Sequence, residues 1–301
     1  MKFKDELLNR FMIRKKRNQK DEFFDWVKKN ITEFDVKKEH HSMNTTNIVI
    51  GDVDKAKIIF TAHYDTCAVM PIPNFITPTN IFIYILYQLL LVVFLIGIPF
   101  VIASFVEDLF PSDGAIYMLI FDGLLFLMCY LMMFGPANKN TVNDNTSGVL
   151  TILEMIKKIP EELRDKVAFV LFDYEEVGLI GSSYFASTHK DIAKNKLVVN
   201  FDCVSDGDKV LFIFNNKAKK YKELFEKHYV DTDNVKAEVV KKMAIYPSDQ
   251  ANFKYGVGVC SVIRGKVFEY IDKIHTKKDT VLREENIHYL IDKSIDLIKD
   301  I

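Results

Sequence analysis

The stretch KVAFVLFDYEEVGLIGSSYFAS, residues 166–187, decides the fold class. Its first part, Lys166–Phe172, is a continuous apolar and β-branched run that predicts a buried strand. An acidic turn with Glu175 and Glu176 follows, and Val177–Ser187 then repeats apolar residues at helical spacing. A buried strand that leads through a polar turn into a helix is the unit from which α/β sheets are built.

The same unit recurs on both sides of this stretch. Further strands are predicted at Asn47–Gly51, Lys57–Ala62, Lys196–Phe201, Lys209–Phe214 and Val257–Ile263. Further helices are predicted at Ser147–Ile159, Lys217–His228 and Glu284–Lys299. Alternation of this kind predicts an α/β fold in which helices cover both faces of the sheet.

Two apolar runs interrupt this alternation. Ile81–Phe105 has twenty-five residues without a charge, and Ile116–Phe134 has nineteen residues with one charge, Asp122. At ~1.5 Å per residue, each helix is long enough to cross a hydrocarbon core of ~30 Å. We therefore predict a transmembrane hairpin over residues 79–135, inserted into a discontinuous domain of residues 1–78 and 136–301. The alternative is a pair of buried helices in a soluble core, although uncharged runs of this length are rare there.

The distribution of basic residues predicts the orientation of the hairpin. The chain has 40 Lys and Arg residues, and the connection Val106–Ala115 has none of them. Because Lys and Arg remain on the cytoplasmic side, both flanking parts are predicted to face the cytoplasm. No apolar run precedes Ile81, so a signal peptide is not expected. The basic cluster at residues 14–17 is expected to touch anionic lipid or to form a solvated helix face.

Composition excludes other classes. The 40 basic and 41 acidic residues give a net charge of −1, whereas a nucleic-acid-binding protein should be basic. Charged residues make up 27% and hydrophobic residues 49% of the chain, which excludes a disordered protein. The four cysteines form no CxxC pair and no disulfide framework, so we expect reduced thiols.

Acidic and histidine residues follow the predicted strands. They occur in His63-Tyr64-Asp65, Asp144 before a helix, Glu175-Glu176, Asp202 after Lys196–Phe201, and His275 late in the chain. Ligands bind at the carboxyl ends of strands in open α/β sheets, and imidazole with carboxylate suits zinc. Each motif alone is more often a surface or hydrogen-bonded group, but five of them at one edge of a sheet predict a metal site.

The ordered set AHYDT, NDNTSG, EEVGLIGS, NFD and HTKKDT resembles the co-catalytic di-zinc aminopeptidases of metallopeptidase family twenty-eight. The segment SDQANF, residues 248–253, followed by GVG is similar to that family's SDHxxF…GIP segment. The resemblance covers Asn47–Thr66 and Asn140–Val281. It implies one mixed, mostly parallel sheet sandwiched by helices, as in zinc exopeptidases.

The resemblance also implies a role for each residue. His63 and Asp202 would bind one zinc ion, and Glu176 and His275 would bind the other. Asp144 would bridge the two ions, and Asp65 would orient the imidazole of His63. Glu175 would be the general base that takes a proton from the attacking water, which the two ions activate. Other divalent metal ions also bind N/O sites of this kind.

The sequence departs from the family pattern at two positions. Ile274 stands where the family often has a tyrosine that stabilises the tetrahedral intermediate, so Tyr64 and Tyr270 are candidates for that donor. Gln250 replaces a histidine, which predicts a changed substrate pocket. Cys67 and Cys203 adjoin site residues and are expected to be packed thiols rather than ligands.

The sequence thus predicts a membrane-anchored zinc aminopeptidase that hydrolyses peptide substrates, and no nucleic-acid partner. Because 81 positions separate His63 from Asp144 and the hairpin lies between them, the substrates are expected to include peptides close to the membrane. Two alternatives remain: a glutaminyl cyclase or related amide-processing enzyme on the same fold, and a catalytically inactive membrane scaffold.

Overall fold

The computed structural model describes residues 1–70, 72 and 74–301, and nine strands among them form one mixed sheet. The strand order is β1-β2-β4-β3-β5-β8-β6-β7, and β9 pairs with β8 beside this path. The four central strands, β4, β3, β5 and β8, run parallel. Antiparallel pairs occur toward the edges, at β1–β2, β2–β4, β6–β8 and β8–β9. This confirms the predicted α/β class with a mixed sheet that is parallel at its centre.

The strands are β1 (Val36–His40), β2 (Thr46–Ile50), β3 (Ile58–His63), β4 (Val167–Phe172), β5 (Leu197–Phe201), β6 (Lys209–Phe214), β7 (Lys236–Val239), β8 (Tyr255–Arg264) and β9 (Glu269–Tyr270). The helices are α1 (Lys4–Asn9), α2 (Arg17–Asn30), α3 (Ile81–Leu109), α4 (Ala115–Phe134), α5 (Ser147–Lys158), α6 (Ile180–Thr188), α7 (Lys190–Asn195), α8 (Lys222–His228) and α9 (Glu284–Lys299).

Helices cover both faces of the sheet, as predicted. One face packs against α1, α2, α5, α8 and α9 through a cluster that includes Phe23, Leu153, Phe225 and Leu290. The other face packs against α6 and α7 through Phe185 and Ile192. Strands β3, β4 and β5 are buried over their whole length, which explains their continuous apolar sequences.

The two apolar runs form α3 and α4, which are long and apolar enough to cross a membrane. Only 11% of the most apolar window of α3 and none of that of α4 is buried. Among the described residues these helices are therefore not buried in the core, which disfavours the alternative of two core helices, and the membrane span stays a prediction. Helix α3 ends at Leu109, four residues beyond the predicted span, so the connection is shorter than expected.

Both ends of the hairpin lie beside the same edge of the sheet. An isolated β-bridge joins Ala68 to Ala137, and a second one joins Ile76 to Ile271. The backbone N–H of Asn138 donates to the carbonyl of Cys67 at 3.1 Å. The insertion therefore leaves and rejoins the domain at nearly the same place, close to His63.

Candidate metal centre

The carboxyl ends of three neighbouring parallel strands form the floor of the site. His63 is the last residue of β3, Glu175 and Glu176 follow β4, and Asp202 follows β5 directly. The parallel register of β3 with β4 and of β3 with β5 brings these ends to one edge. The rule that ligands bind at this edge of an α/β sheet places a polar site here.

Asp144 reaches the same edge from an irregular turn, residues 142–146, that precedes α5. The carboxylate of Asp279 accepts the backbone N–H groups of Asn143 at 2.7 Å and Asp144 at 3.0 Å. Gly148 lets α5 approach β5, since a Cβ there would lie 2.4 Å from the carbonyl oxygen of Phe201. The glycine of the NDNTSG motif therefore sets the distance between Asp144 and Asp202.

Asp144 lies between two imidazoles. Its Oδ1 is 3.2 Å from Nε2 of His63, and its Oδ2 is 3.1 Å from Nε2 of His275. His63 Nε2 is also 3.5 Å from Asp202 Oδ1, and His275 Nε2 is 3.0 Å from Glu176 Oε2. The other four predicted ligands thus form two pairs, one on each side of Asp144.

Asp65 lies behind His63 and connects it to the acidic turn. Its Oδ1 is 3.5 Å from Nδ1 of His63 and accepts the backbone N–H of Glu175 at 3.1 Å. Its Oδ2 accepts the backbone N–H of Glu176 at 3.4 Å. Asp65 therefore orients the imidazole and the turn that carries both glutamates.

Burial and mutual repulsion set the charges of these groups. Burial opposes the charged form of His63, but the carboxylates of Glu175, Asp144 and Asp202 outweigh it and raise the pKa of the imidazole well above 6.5. Burial, together with the charges of Asp202 and Asp249, raises the pKa of Glu175 well above its usual range. Burial likewise raises the pKa of Glu176. Carboxylates that accumulate in one buried site in this way favour the binding of a cation.

The polar atoms that lack partners test whether the residues fit a metal. His63 Nε2, Glu176 Oε1 and Asp202 Oδ1 are buried and have no well-aligned hydrogen-bond partner among the described residues. Buried polar atoms are normally paired, so these three are available as donors to a cation. The described residues include four groups of three side chains whose potential ligand atoms lie within 4.8 Å of one another. Two of these groups are His63–Glu175–Asp202 and His63–Asp144–Glu176. Imidazole nitrogen and carboxylate oxygen are donors that zinc accepts, and the residues therefore fit a divalent cation.

The two cysteines also adjoin the donors. Cys67 is grouped with Glu176 and His275, and Cys203 is grouped with Asp144 and Asp202. Both side chains are buried, and burial with the neighbouring carboxylates raises the pKa of each thiol. Such thiols stay protonated, which agrees with packed side chains and makes them poor ligands without a metal to displace the proton.

Non-glycine residues with left-handed backbone conformations occur at the site. Tyr174 has φ 53°, Cys203 has φ 55° and His275 has φ 61°. Each one is a candidate ligand or directly precedes or follows a candidate ligand or base. Conformations that are rare for such residues persist where the surrounding structure holds them, and they are common at functional sites.

One of the sequence-based predictions for neighbouring residues is wrong. The hydroxyl of Tyr64 donates to the carbonyl of Thr46 at 2.7 Å and its ring stacks on Phe23, so it is not available to a substrate. Gln250 is buried, where its amide donates to the carbonyl of Tyr246 at 2.7 Å. Gln250 therefore packs inside the domain, and its effect on the substrate pocket stays a prediction. The ring of Tyr270 packs against Phe75 and Phe268.

Arg14 was not predicted as part of the site. It is fully buried instead of lying on a lipid-facing or solvated surface, and its Nε donates to the carbonyl of Tyr64 at 2.5 Å. Burial lowers the pKa of its guanidinium to about 10, and the charge of Asp65 opposes that shift. No sequence signal separates this arginine from the three basic residues that follow it.

Asp249 also belongs to the site although it was named only within the SDQANF segment. It is fully buried, and neither of its carboxylate oxygens has a hydrogen-bond partner of good geometry among the described residues. Burial raises its pKa to about 7, and the charge of His63 opposes that shift. Asp249 adds a further carboxyl group next to Glu175.

Comparison with known proteins places this chain in a family. Residues 122–289 match the family model "Peptidase family M28". A probable leucine aminopeptidase 2 of Aspergillus oryzae is 26% identical over 106 residues, which are 31% of this chain and 21% of that protein. The match thus spans about a fifth of the length of that curated relative.

Solved structures show the same fold. The Legionella pneumophila LapA aminopeptidase aligns with a TM-score of 0.56 at 13% identity, over 98% of this chain and 68% of that one. A Porphyromonas gingivalis glutaminyl cyclase aligns with a TM-score of 0.56 at 12% identity, over 96% and 92% of the chains. A Zn-dependent exopeptidase from Parabacteroides distasonis aligns with a TM-score of 0.54 at 12% identity, over 95% and 91% of the chains.

Proposed function

Because the chain belongs to peptidase family M28, we propose that it is a zinc-dependent aminopeptidase that is anchored in a membrane by its helical hairpin. Its substrates are peptides with a free N-terminus. The observation that carries this proposal is the placement of Asp144 between two histidines, with a second carboxylate beside each.

Two zinc ions fit this arrangement. His63 and Asp202 would hold one ion, Glu176 and His275 would hold the other, and Asp144 would offer one oxygen to each. The unpartnered atoms of His63, Glu176 and Asp202 supply the open donor positions. When bound, zinc ions polarise a scissile carbonyl and lower the pKa of water.

Glu175 is the proposed general base. It directly precedes the proposed ligand Glu176, and its backbone is fixed by the bond from its N–H to Asp65. A carboxylate with a raised pKa accepts a proton from water near neutral pH and returns it to the leaving amine. Adjacent glutamates therefore have different roles, because one is directed to metal and the other stays free for proton transfer.

The hairpin is the proposed membrane anchor. Helices α3 and α4 are 29 and 20 residues long and are almost entirely apolar. Many of their large apolar side chains are exposed, including Phe82, Val93, Leu119 and Phe126. Exposed apolar area of this extent is stable only when lipid or another apolar surface covers it.

The test follows the cleavage of peptides with free and acetylated N-termini by mass spectrometry. Detergent-purified full-length protein loaded with zinc is compared with its Glu175→Gln and Glu162→Gln variants. Glu162 is an exposed glutamate that serves as the matched control. We expect stepwise loss of residues from free N-termini only. Glu175→Gln should lower kcat by about 10²–10⁴-fold while zinc content is unchanged.

Peptides with an N-terminal glutamine are included in the mixture. Conversion of these peptides to pyroglutamate without loss of a residue would favour the cyclase alternative. If zinc is bound but no peptide changes, the enzymatic proposal is wrong and the inactive scaffold is favoured.

A further inference from the structure

A cavity of about 680 Å³ lies between the candidate metal centre and the end of α4. Asp65 and Glu176 line it on the side of the metal centre. One wall is the N-terminal segment around Ile13 and Lys16, and the opposite wall is the end of α4 around Leu131. Its volume suits a small ligand or part of a peptide.

Hydrogen bonds fix both walls before any ligand binds. The Nζ of Lys15 donates to the carbonyl of Met133 at 2.8 Å, which ties the N-terminal segment to the last turn of α4. The backbone N–H groups of Lys15 and Lys16 donate to Oε1 of Gln19 at 3.2 and 2.8 Å. The cavity is therefore largely preformed, so little ordering is needed when a ligand binds.

The free charges of the cavity are positive. Lys16 and Lys139 line it and are exposed, and no carboxylate of the described part of the chain lies within 4.0 Å of either amine. Each of the two acidic residues of the cavity has at least one partner on the side of the metal centre. Asp65 accepts two backbone N–H groups, and Glu176 faces His275. A ligand that fills this cavity therefore gains by carrying a negative charge.

Much of the remaining lining is apolar. Ile13, Tyr130, Leu131, Phe134 and Val177 contribute to it. Tyr130 and Phe134 are 49% exposed, so the last turns of α4 present uncovered aromatic surface next to the two lysines. An apolar wall with a few charged groups at its rim is the pattern of a specificity pocket.

We propose that this cavity is the subsite for the leaving part of a short apolar peptide that carries a carboxylate. The N-terminal ammonium of a substrate is positive, so two unpaired lysines would repel it, whereas they attract an acidic side chain or the peptide's own C-terminus. The inference rests on the proposed peptidase function and names its substrate class. Ile13, Lys15 and Lys16, together with the end of α4, form the walls of the proposed subsite.

The test compares three peptides, Leu-Gln amide, Leu-Glu amide and Leu-Gln with a free C-terminus. Full-length zinc-loaded protein, Lys16→Gln/Lys139→Gln, and the control Lys29→Gln/Lys194→Gln are assayed for kcat/KM in phosphatidylcholine vesicles. Lys29 and Lys194 are exposed and lie outside the cavity. We expect the wild type to prefer one or both carboxylate peptides to the amide. In Lys16→Gln/Lys139→Gln, the ratio of kcat/KM for the carboxylate peptide to kcat/KM for the amide should fall about tenfold. In the control variant this ratio should be unchanged.

A charge-preserving variant separates a loss of charge from a loss of folding. Lys16→Arg/Lys139→Arg should retain most of the preference. If Lys16→Gln/Lys139→Gln removes the preference for Leu-Glu amide, the lysines bind the acidic side chain. If it removes the preference for Leu-Gln with a free C-terminus, they bind the C-terminal carboxylate.

Equilibrium binding of the same peptides to the Glu175→Gln protein gives a second readout. If the wild type cleaves all three peptides equally, or if the Lys16/Lys139 variant keeps the preference, the subsite inference is wrong and the peptidase proposal stands. If no peptide is cleaved, the peptidase proposal fails, and the subsite inference then survives only if carboxylate peptides bind more tightly than the amide. If the two lysines change binding to phosphatidylserine vesicles but not to peptides, they bind lipid and the inference is overturned.

Discussion

Asp144 can face two histidines because several residues fix the turn that carries it. The hydroxyl of Thr141 donates to the carbonyl of Met12, and the hydroxyl of Ser147 donates to the carbonyl of Asn143. The Oδ1 of Asn143 accepts the N–H groups of Ser205 and Asp206 at 2.8 and 2.9 Å. Asp279 adds the two bonds to the backbone of Asn143 and Asp144. The position of one carboxylate thus depends on groups that never touch a metal.

Replacing Asp279 with Asn tests this dependence. An amide presents one NH₂ group where the carboxylate presents an oxygen, so one of the two N–H donors loses its acceptor. We expect Asp279→Asn to weaken zinc affinity by about 10–100-fold, as is typical when a group that orients a ligand is lost. Competition with a chromophoric chelator measures the affinity. The control is Asp233→Asn, at an exposed aspartate, and equal affinities in the two variants would contradict the role assigned to Asp279.

Helix α2 is joined to the sheet by a buried ion pair. Lys20 on α2 contacts the carboxylate of Asp173, which follows β4 directly, and the side chains are 6% and 1% exposed. The Lys20 amine also lies 3.9 Å from the centre of the Tyr174 ring. Burial raises the pKa of Asp173 to about 6, although the charge of Lys20 lowers it. Both groups hold the N-terminal helices against the turn that carries Glu175.

Replacing Lys20 with Met therefore has an effect that depends on pH. At about pH 8 Asp173 is ionised in the folded wild type. Lys20→Met then leaves this buried carboxylate without its partner, which should destabilise the fold by about 3–5 kcal/mol. At about pH 5 Asp173 already holds a proton in the folded state, so the loss of Lys20 should cost less. In this range Asp173 binds more proton in the folded variant than in the folded wild type, so the stability of the variant relative to wild type must fall as pH rises.

Thermal unfolding midpoints of Lys20→Met and wild type at the two pH values measure this difference. Lys29→Met, at an exposed lysine on the same helix, is the control and should show no pH-dependent difference. A difference that is the same at both pH values would mean that Asp173 does not titrate in this range.

The elements differ in how far the sequence predicts them. Strand β6 and helix α9 have the predicted bounds, and β4 and β5 differ by one residue, because buried apolar runs and strong helical spacing leave few alternatives. Strands β1 and β7 were not predicted. Their sequences, VKKEH and KAEV, are polar and lie toward or at the edges of the sheet, where burial imposes no apolar pattern. Helix α2 was missed because its sequence has a high charge content, and the six-residue helix α1 was missed as well.

The residues of the candidate site also differ in how far the sequence predicts their positions. His63, Asp202 and the two glutamates could be placed at one sheet edge from strand ends alone. Arg14 could not, because its burial depends on a long-range contact with the carbonyl of Tyr64, fifty residues away. The free lysines of the cavity were also invisible, since they come together only when α4 ends beside the N-terminal segment.

At the scale of the whole molecule, charge and apolar surface are separated. All 40 Lys and Arg residues lie in residues 1–80 and 135–301, and none lies in the hairpin. The chain enters α3 and leaves α4 next to the candidate metal centre, as the bridge between Ala68 and Ala137 shows. If the hairpin spans a membrane, the site lies close to one membrane surface, and the basic residues predict the cytoplasmic one.

Cysteine labelling in intact cells tests this topology. The described cysteines suit the method, because Cys67, Cys203 and Cys260 are buried and burial raises the pKa of each thiol, so they react slowly. Cys129 in α4 is replaced by Ala, and a new cysteine is placed either at Pro111 in the connection or at Lys194 in the domain, both of which are exposed. We expect an impermeant maleimide to label Pro111→Cys in intact cells and Lys194→Cys only after permeabilisation. The reverse pattern would place the metal centre outside the cell, and labelling of both positions in intact cells would show that the hairpin does not span the membrane.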